Sequence, residues 1–269
     1  MLIAVCIIAA LLAIYLILLI PRTGHPGWEK LAGVRYAHRG LHNKDKGIPE
    51  NSMAAFRLAV EHGYGAELDV HLLADGRLAV FHDSSLKRIC GTEGTIEELR
   101  AEDLSRYHLL ETEETIPLFE DVLALFENKT PLIIELKAVG KNSPALTDAV
   151  MKALQNWQGT YCIESFQPAV VRHLRTHYPD VIRGQLSENF FKGSSLPFIV
   201  KFLMTFLLTT FYTRPDFIAY HHKHRSNISL RMMRKLYGVH EVGWTIREQA
   251  VMEQLEKDGV TPIFENFIP

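Results

Sequence analysis

Residues 65–83 read GAELDVHLLADGRLAVFHD, two short apolar runs separated by a turn. We predict one strand over Ala66–His71 and a second over Arg77–His82. Asp75-Gly76 between them is a dipeptide favoured in tight hairpin turns. Because the connection is too short for a parallel crossover, the second strand must fold back antiparallel on the first.

This hairpin brings polar side chains together at one end of the predicted sheet. If Asp75 and Gly76 are the only loop residues, the pairing register places Asp69 opposite His82. Alternate residues of a strand share a face, so Glu67 points the same way as Asp69. The hairpin is therefore expected to gather two carboxylates and an imidazole at one rim.

The rest of the chain alternates short apolar runs with amphipathic stretches, the pattern of repeated β-α units. Together with the first strand of the hairpin this gives eight predicted strands: Val34–His38, Ala66–His71, Leu132–Lys137, Thr160–Glu164, Ile182–Leu186, Phe217–His221, Glu241–Thr245 and Thr261–Phe264. Helical patterns fill most gaps: Asn51–His62, Leu118–Glu127, Ala145–Trp157, Pro168–His177, Leu230–Tyr237 and Glu248–Asp258. We predict an α/β fold, a TIM (β/α)8 barrel over residues 33–269, with residues 84–115 as a small insertion after the hairpin.

The N-terminus differs from this body. Every residue from 1 to 20 is apolar and none carries a side-chain charge. Twenty residues in an α-helix span about 30 Å, the thickness of a bilayer's hydrocarbon core. A cleaved signal peptide would need a basic segment before the apolar run, and none precedes it. We predict one transmembrane anchor at residues 1–21, followed by a linker at residues 22–32.

The charges and thiols near this anchor bear on its orientation. Arg22, Lys30 and Arg35 follow the apolar run, so the positive-inside rule places the rest of the chain in the cytoplasm. Cys90 and Cys162 have no CxxC spacing, which indicates neither a zinc site nor a disulfide framework. Two unpaired thiols suit a reducing compartment, and a single bridge between them is the alternative.

Composition excludes several classes of protein. The chain has 29 basic against 31 acidic side chains and a net charge of −2. Its mean hydropathy is +0.01. These values exclude a disordered tail, a collagen-like repeat and a basic nucleic-acid-binding arm. We expect no nucleic-acid partner.

A second apolar segment, LPFIVKFLMTFLLTTFY, occupies residues 196–212. With Lys201 inside it and only 17 residues, it is a poor membrane span. One interpretation is a barrel helix packed on its neighbours. The other is an interfacial helix that seats the barrel against the bilayer, which would favour a lysophospholipid substrate.

Polar side chains cluster at four predicted strand ends: His38-Arg39-Gly40, Glu67-x-Asp69, His82-Asp83 and Glu135-x-Lys137. In a parallel barrel these ends meet at the C-terminal face. Three converging carboxylates would repel one another without a cation, and all-oxygen ligation suits Mg²⁺, Ca²⁺ or Mn²⁺ rather than zinc. A metal with Arg39 and Lys137 describes a site for a phosphate, and two histidines supply an acid and a base.

Six sequence motifs, in this order and spacing, resemble those of the glycerophosphodiester phosphodiesterases: AHRG (37–40), PENS (49–52), GAELDV (65–70), DG (75–76), FHD (81–83) and IELK (134–137). The resemblance extends from about residue 34 to the C-terminus. It implies a TIM barrel of the phospholipase-C-like phosphodiesterase type and one divalent cation. It also implies hydrolysis of glycerophosphodiesters to glycerol 3-phosphate and an alcohol, which we expect to proceed through a cyclic phosphate.

The resemblance also implies roles for individual residues. It implies three groups: metal ligands Glu67, Asp69 and Glu135; an acid/base pair, His38 and His82; and phosphate contacts, Arg39 and Lys137. Glu50 is expected to join the polar site, whereas Asn51 is expected to cap the first barrel helix. Trp244 is similar to an aromatic residue that borders the substrate, with a core tryptophan as the alternative.

The C-terminal segment departs from the family pattern. It reads DGVTPIFENFIP at residues 258–269, with Glu265-Asn266 where Thr-Asp is usual. We therefore assign no role to this turn from the resemblance.

Three alternative functions stay open at this point. The barrel could act on lysophospholipids as a lysophospholipase D, or it could hydrolyse a glycerophosphate polymer at the membrane. The third alternative is a barrel that binds phospholipid headgroups without catalysis. The expected partners are a small glycerophosphodiester or lysophospholipid, and a membrane contacted through residues 1–20 and 196–212.

Overall fold

The computed structural model describes residues 1–269 and contains nine β-strands and ten α-helices. The strands are β1 Tyr36–His38, β2 Gly65–Leu72, β3 Leu78–Val80, β4 Leu132–Leu136, β5 Tyr161–Ser165, β6 Arg183–Ser187, β7 Phe217–His221, β8 His240–Ile246 and β9 Thr261–Phe264. The helices are α1 Leu2–Leu18, α2 Met53–Glu61, α3 Lys87–Cys90, α4 Phe119–Phe126, α5 Ser143–Leu154, α6 Pro168–His177, α7 Phe198–Thr205, α8 Thr210–Thr213, α9 Ile228–Tyr237 and α10 Gln249–Lys257. All eight predicted barrel strands form.

Eight of the strands close into a parallel barrel. The strand order is β1-β9-β8-β7-β6-β5-β4-β2, and β1 also pairs with β2, which closes the ring. The register at closure places His38 beside Glu67. The predicted TIM-barrel architecture is therefore confirmed, and β3 adds to β2 at the rim as the predicted antiparallel strand.

The barrel interior changes character from one end to the other. Ile133, Cys162 and Phe217 lie in one buried apolar cluster inside the barrel. One level above Ile133 and Cys162, the inward positions are the buried Glu135 and Glu164. Because catalytic groups of TIM barrels sit at the C-terminal strand ends, this polar layer marks the candidate site.

The β2–β3 hairpin corrects the predicted register. The amide of Leu73 donates to the carbonyl of Arg77 at 2.9 Å, which leaves a three-residue loop instead of two. Pairing is therefore offset by one residue, and the amide of Phe81, not that of His82, donates to the Asp69 carbonyl at 2.9 Å. Three-residue hairpin loops with glycine in the left-handed region are the next most common type after two-residue ones.

The start of α2 corrects the predicted cap. The Ser52 hydroxyl accepts a hydrogen bond from the amide of Ala55 at 3.1 Å, so Ser52 is the N-cap. Asn51 lies one residue earlier with φ of 53° and uses its side chain elsewhere. The expectation that Asn51 caps this helix was wrong.

Residues 84–115 contain α3 and two short 3₁₀ turns beside the hairpin. Their apolar side chains, among them Leu86, Ile89 and Ile96, pack with Phe81 in a cluster separate from the main core. Cys90 of this segment is a free thiol.

The N-terminal segment is shorter as a helix than predicted. α1 has 17 residues, which corresponds to about 26 Å. After it, Leu19 is fully buried against the barrel, and the Tyr15 hydroxyl lies 2.7 Å from that of Ser229. None of the helices combines the length and the apolarity needed to cross a bilayer. The predicted transmembrane helix at residues 1–21 is therefore not supported.

The second apolar segment, residues 196–212, forms two helices instead of one. α7 and α8 are separated at Leu207, whose φ is 58°. Met204 and Leu207 are buried, whereas Phe198 is 72% exposed. The segment thus packs on the barrel with one side and leaves a large apolar surface on the other.

Candidate active site

A cavity of about 50 Å³ opens at the C-terminal end of the barrel. It is lined by His38, Arg39, Glu67, His82, Glu135, Glu164, Phe166, Leu186, Trp244 and Ile263. These side chains come from strand ends and the loops that follow them. Six of the nine predicted site residues line this cavity directly, and Asp69, Lys137 and Glu50 contact those that do.

Acidic side chains form the floor of the site. Asp69, Glu135 and Glu164 occupy paired positions on β2, β4 and β5, and Glu67 precedes Asp69 on the same face of β2. Carboxylate oxygens of Glu67, Asp69 and Glu135 lie within 4.8 Å of one another. All four residues are buried.

Mutual repulsion shapes the electrostatics of this group. Burial, Asp69 and Glu135 together raise the pKa of Glu67 well above its ordinary value. Burial likewise raises the pKa of Glu135 to about 7, although Lys137 acts in the opposite direction. For Asp69 burial would raise the pKa, but Lys137, His82 and Arg39 outweigh it and lower the pKa. The site thus holds more acidic groups than its own cations neutralise.

This cluster fits a hard divalent cation. The donor set consists of carboxylate oxygens, which Mg²⁺ and Ca²⁺ prefer. A cation among Glu67, Asp69 and Glu135 would relieve the repulsion that raises the pKa of Glu67. One oxygen of the Glu164 carboxyl is buried without a hydrogen-bond partner, so a further oxygen next to Glu135 is free to bind a cation.

Two basic side chains lie against the carboxylates. Lys137 Nζ is 3.0 Å from Asp69 Oδ1 and 2.7 Å from Glu135 Oε1. Arg39 Nε is 3.4 Å from Asp69 Oδ2, and the Arg39 amide donates to Glu67 at 3.1 Å. Both cations are therefore fixed by the acidic cluster, in positions suited to binding the oxygens of an anion.

Glu50 joins the site through arginines. It accepts hydrogen bonds from Arg39 at 2.6 Å and from Arg88 at 2.7 Å. Burial would raise the pKa of Glu50, but the hydrogen bond from Arg88 and the charge of Arg39 lower it to about 2. Asn51 beside it donates to Asp69 at 2.8 Å. Two residues of the PENS segment thus hold site residues in place, Glu50 through Arg39 and Asn51 through Asp69.

His38 is paired with a carboxylate from the C-terminal segment. Its Nδ1 lies 2.5 Å from Glu265 Oε2, and its Nε2 lies 3.9 Å from Glu67. Glu265 also accepts from Arg247 Nε at 2.7 Å. Burial and Arg39 lower the pKa of His38, with Glu265 acting in the opposite direction.

His82 is paired with its own neighbour in sequence. Its Nδ1 lies 2.5 Å from Asp83 Oδ1, and Asp83 accepts from Arg88 Nε at 2.5 Å. Burial lowers the pKa of His82 to about 4, and Lys137 adds to this against the opposing charge of Asp69. At neutral pH the imidazole is therefore uncharged, as a general base must be.

Trp244 borders the cavity at the end of β8. Its ring packs edge-on against Phe166, with 5.6 Å between ring centroids, and against His221 at 5.0 Å. Its indole nitrogen is buried without a hydrogen-bond partner. Trp244 thus lines the cavity, as expected of a residue that borders the substrate. It also packs on interior rings, as expected of a core tryptophan.

The family described as glycerophosphoryl diester phosphodiesterase matches this chain over residues 38–269. The chain belongs to this family. Within it, a glycerophosphodiester phosphodiesterase from Bacillus altitudinis is 39% identical over 134 residues, 46% of this chain and 53% of the relative. One from Caldanaerobacter subterraneus subsp. tengcongensis is 32% identical over 162 residues, 56% of this chain and 65% of the relative.

Solved structures resemble this chain in fold. An Oleispira antarctica phosphodiesterase, in complex with the product sn-glycerol-3-phosphate, aligns with a TM-score of 0.71 at 20% identity. The alignment covers 91% of this chain and 95% of that protein. The barrel of this family member is thus shared with known phosphodiesterases.

Four residues of this family member's site were missing from the sequence-based prediction. Glu265, Arg88, Asn51 and Glu164 all contact predicted site residues or line the cavity. Three of them had a usable signal: Glu164 and Glu265 lie at the ends of predicted strands, and Asn51 belongs to the PENS motif. Arg88 reaches the site from the segment at residues 84–115, and no local pattern connects that arginine with the strand ends.

Proposed function

We propose that this chain hydrolyses glycerophosphodiesters to glycerol 3-phosphate and an alcohol. The observation that carries the proposal is that both imidazoles line the same cavity as the carboxylates of Glu67, Glu135 and Glu164. In each imidazole the Nδ1–H donates to a carboxylate oxygen, so Nε2 is the nitrogen available to exchange a proton with substrate. Family membership supports this chemistry, as does the product bound to the Oleispira antarctica protein.

In the mechanism we propose, one histidine takes the proton from the glycerol hydroxyl adjacent to the phosphate. That hydroxyl oxygen attacks phosphorus, while the other histidine protonates the departing alkoxide. Water then opens the resulting cyclic phosphate with the two histidines in exchanged roles. His38 and His82 fill these positions, and we assign neither to one side.

Arg39 and Lys137 are proposed to hold the non-bridging phosphate oxygens. Both are fixed by the acidic cluster before substrate binds, so little reorganisation is needed as charge develops. A Mg²⁺ or Ca²⁺ ion, with Mn²⁺ as a third option, would be held by Glu67, Asp69 and Glu135. When bound, it supplies positive charge that stabilises the phosphorane-like transition state.

We also propose that the barrel works in a reducing compartment, the cytoplasm. Cys90 and Cys162 are both free, and Cys162 is buried inside the barrel. Two separate fusions to the C-terminus test this placement, one with a green fluorescent protein and one with a phosphatase that is active only in the periplasm or lumen. Fluorescence of the first fusion without phosphatase activity of the second supports the cytoplasm, and the reverse pattern contradicts it.

The activity is tested by measuring glycerol 3-phosphate release from a panel of diesters, with and without EDTA. Glycerophosphocholine should be hydrolysed, and EDTA should abolish turnover until Mg²⁺ or Ca²⁺ is returned. Bis-p-nitrophenyl phosphate lacks a neighbouring hydroxyl, so it should be a poor substrate. Comparable rates on both compounds would contradict the cyclic route, and no release from any diester would contradict the proposed activity.

A further inference from the structure

One side of the molecule carries an apolar surface that the enzymatic site does not explain. It consists of the exposed part of α1, residues 2–14, and the outer faces of α7 and α8. We call these together the apolar platform. Leu2 is 77% exposed, Ile8 66% and Leu11 62%, and on α7 and α8 Phe198 is 72% exposed and Phe211 50%.

The α1 part of the apolar platform is apolar around its whole circumference. Leu2, Ile3, Val5, Ile7 and Ile8 point in five different directions at 100° per residue, and each is more than half exposed. A protein groove covers one side of a helix, whereas lipid surrounds it. A helix that is apolar all round and carries no charge matches hydrocarbon better than it matches a polar-rimmed protein surface.

Contacts at the end of α1 place both parts of the apolar platform on the same side of the barrel. Leu19 is buried in one cluster with Leu207 and Leu208 of the α7–α8 segment. Arg214, directly after α8, donates to the carbonyl of Ile20 at 2.6 Å. The C-terminal end of α1 is thus fixed on the side of the barrel that carries α7 and α8.

Aromatic side chains connect the cavity with this platform. Phe166, which packs on Trp244 in the site, is followed outward by Phe190 at 6.1 Å between ring centroids. The next residue, Phe191, pairs with Phe198 of α7 at 5.6 Å. Aromatic side chains thus extend from the residues that line the cavity to Phe198 at the start of α7.

We propose that the apolar platform docks on a phospholipid bilayer, with the exposed part of α1 surrounded by acyl chains and the outer faces of α7 and α8 in contact with them. Lys192 and Lys201 lie in the segment that leads into α7 and in α7 itself, where they can meet lipid phosphates. Docking presents the mouth of the barrel to molecules in the lipid surface. That last consequence, access to lipid-embedded diesters, rests on the proposed function, whereas docking itself does not.

Flotation of the full chain with vesicles of phosphatidylcholine and phosphatidylglycerol tests the docking. Phe198→Glu/Phe211→Glu should weaken partitioning by at least about tenfold, since it removes two large apolar contacts and adds two charges. Ile7→Glu/Leu11→Glu should do the same on α1. Ile268→Glu is the matched control, because Ile268 is 60% exposed but lies at the C-terminus, and its partitioning should be unchanged.

Each outcome separates the docking from the catalysis. Release of glycerol 3-phosphate from the soluble diester glycerophosphocholine should be the same in all these variants, which shows that they fold. Failure of wild type to float, or equal flotation of wild type and the α7–α8 variant, overturns the docking proposal. Wild type could instead fail to bind vesicles but self-associate without lipid, in a way that the Glu variants abolish. That result would identify a second copy of this chain as the occupant of the apolar platform and would also overturn the docking proposal. Absent hydrolysis in all samples with normal flotation contradicts only the proposed function.

Discussion

The two histidines of the site reach the same arrangement by different routes. His82 pairs with Asp83, the next residue in the chain, at 2.5 Å. His38 pairs with Glu265, 227 positions away, at the same 2.5 Å. The first pair is a local property of the strand end, while the second exists only because β1 and β9 are neighbours in the closed barrel.

The surroundings of the two pairs also differ. The His82 side chain is 31% exposed, against 15% for His38. Asp83 is braced by Arg88 from the insertion, whereas Glu265 is braced by Arg247 at the end of β8. His82 therefore depends on a peripheral segment for its partner, and His38 depends on closure of the barrel itself.

The largest effects are expected from removing either imidazole. His38→Ala and His82→Ala should each lower kcat by about 10²–10⁴-fold, because each loses a proton-transfer group. Mg²⁺ binding measured by calorimetry should stay close to wild type, since neither histidine belongs to the acidic cluster. Wild-type turnover in either variant would remove that histidine from the mechanism.

Removing the charge of Glu265 should have the next largest effect. Glu265→Gln should lower kcat by roughly 10–10²-fold with little change in KM, because the carboxylate orients His38 and stabilises its protonated form. The acid limb of the kcat pH profile should also move to lower pH. Glu265→Asp serves as the conservative variant and should recover part of the activity; equal kcat and identical pH profiles in wild type and Glu265→Gln would contradict a positioning role.

Arg88 should contribute less than Glu265. Arg88→Ala removes the brace on Asp83 and one partner of Glu50, both at a partly exposed position, so kcat should fall by only about 3–10-fold. Arg106→Ala, in the same insertion but bonded only to Asp103, is a matched control. A loss larger than that in Glu265→Gln would reverse the order inferred from the comparison.

The smallest effect concerns stability at mild acid pH. Burial lowers the pKa of His82 to about 4 from an ordinary 6.5. As pH falls through 6.5 the unfolded chain takes up a proton that the folded imidazole does not accept until about pH 4. The free energy of unfolding must therefore decrease over this window. Urea unfolding of wild type and His82→Gln at pH 7 and pH 5 should show that the free energy of unfolding decreases less in the variant. An equal or larger decrease in the variant would contradict the predicted direction of the pH effect.

The sequence was most informative where chemistry and strand pattern coincided. Glu67-x-Asp69 and Glu135-x-Lys137 lie on strands whose period places alternate residues on one face, so their convergence followed from strand order alone. The structure places their side chains in contact, with Lys137 between Asp69 and Glu135. Their assignment as metal ligands and phosphate contacts stays a prediction.

Local patterns failed where backbone conformation decides. Asn51 is a good helix cap by residue type, yet its φ of 53° turns its side chain toward Asp69 and leaves the cap to Ser52. The hairpin register likewise depended on whether the loop has two or three residues. Both outcomes depend on dihedral angles set by packing, which residue type constrains only weakly.

The N-terminal segment shows the same limit at a larger scale. Its composition alone indicated a helix long enough to span a bilayer, because hydropathy counts apolar residues without regard to their tertiary partners. In the folded chain the helix ends at Leu18 and Leu19 is buried on the barrel. Tertiary contacts thus divide one continuous apolar run into a packed end and an exposed helix.

Strand periodicity and strand-end position are local properties, so the amino-acid sequence is enough to predict the eight-stranded parallel barrel and most of the side chains at its C-terminal end. The folded chain was needed to show that Glu265 contacts His38, that Arg88 bonds to Asp83, and that the end of α1 packs beside α8. Contacts between residues this distant in sequence depend on closure of the barrel and on packing around it, which no local pattern encodes.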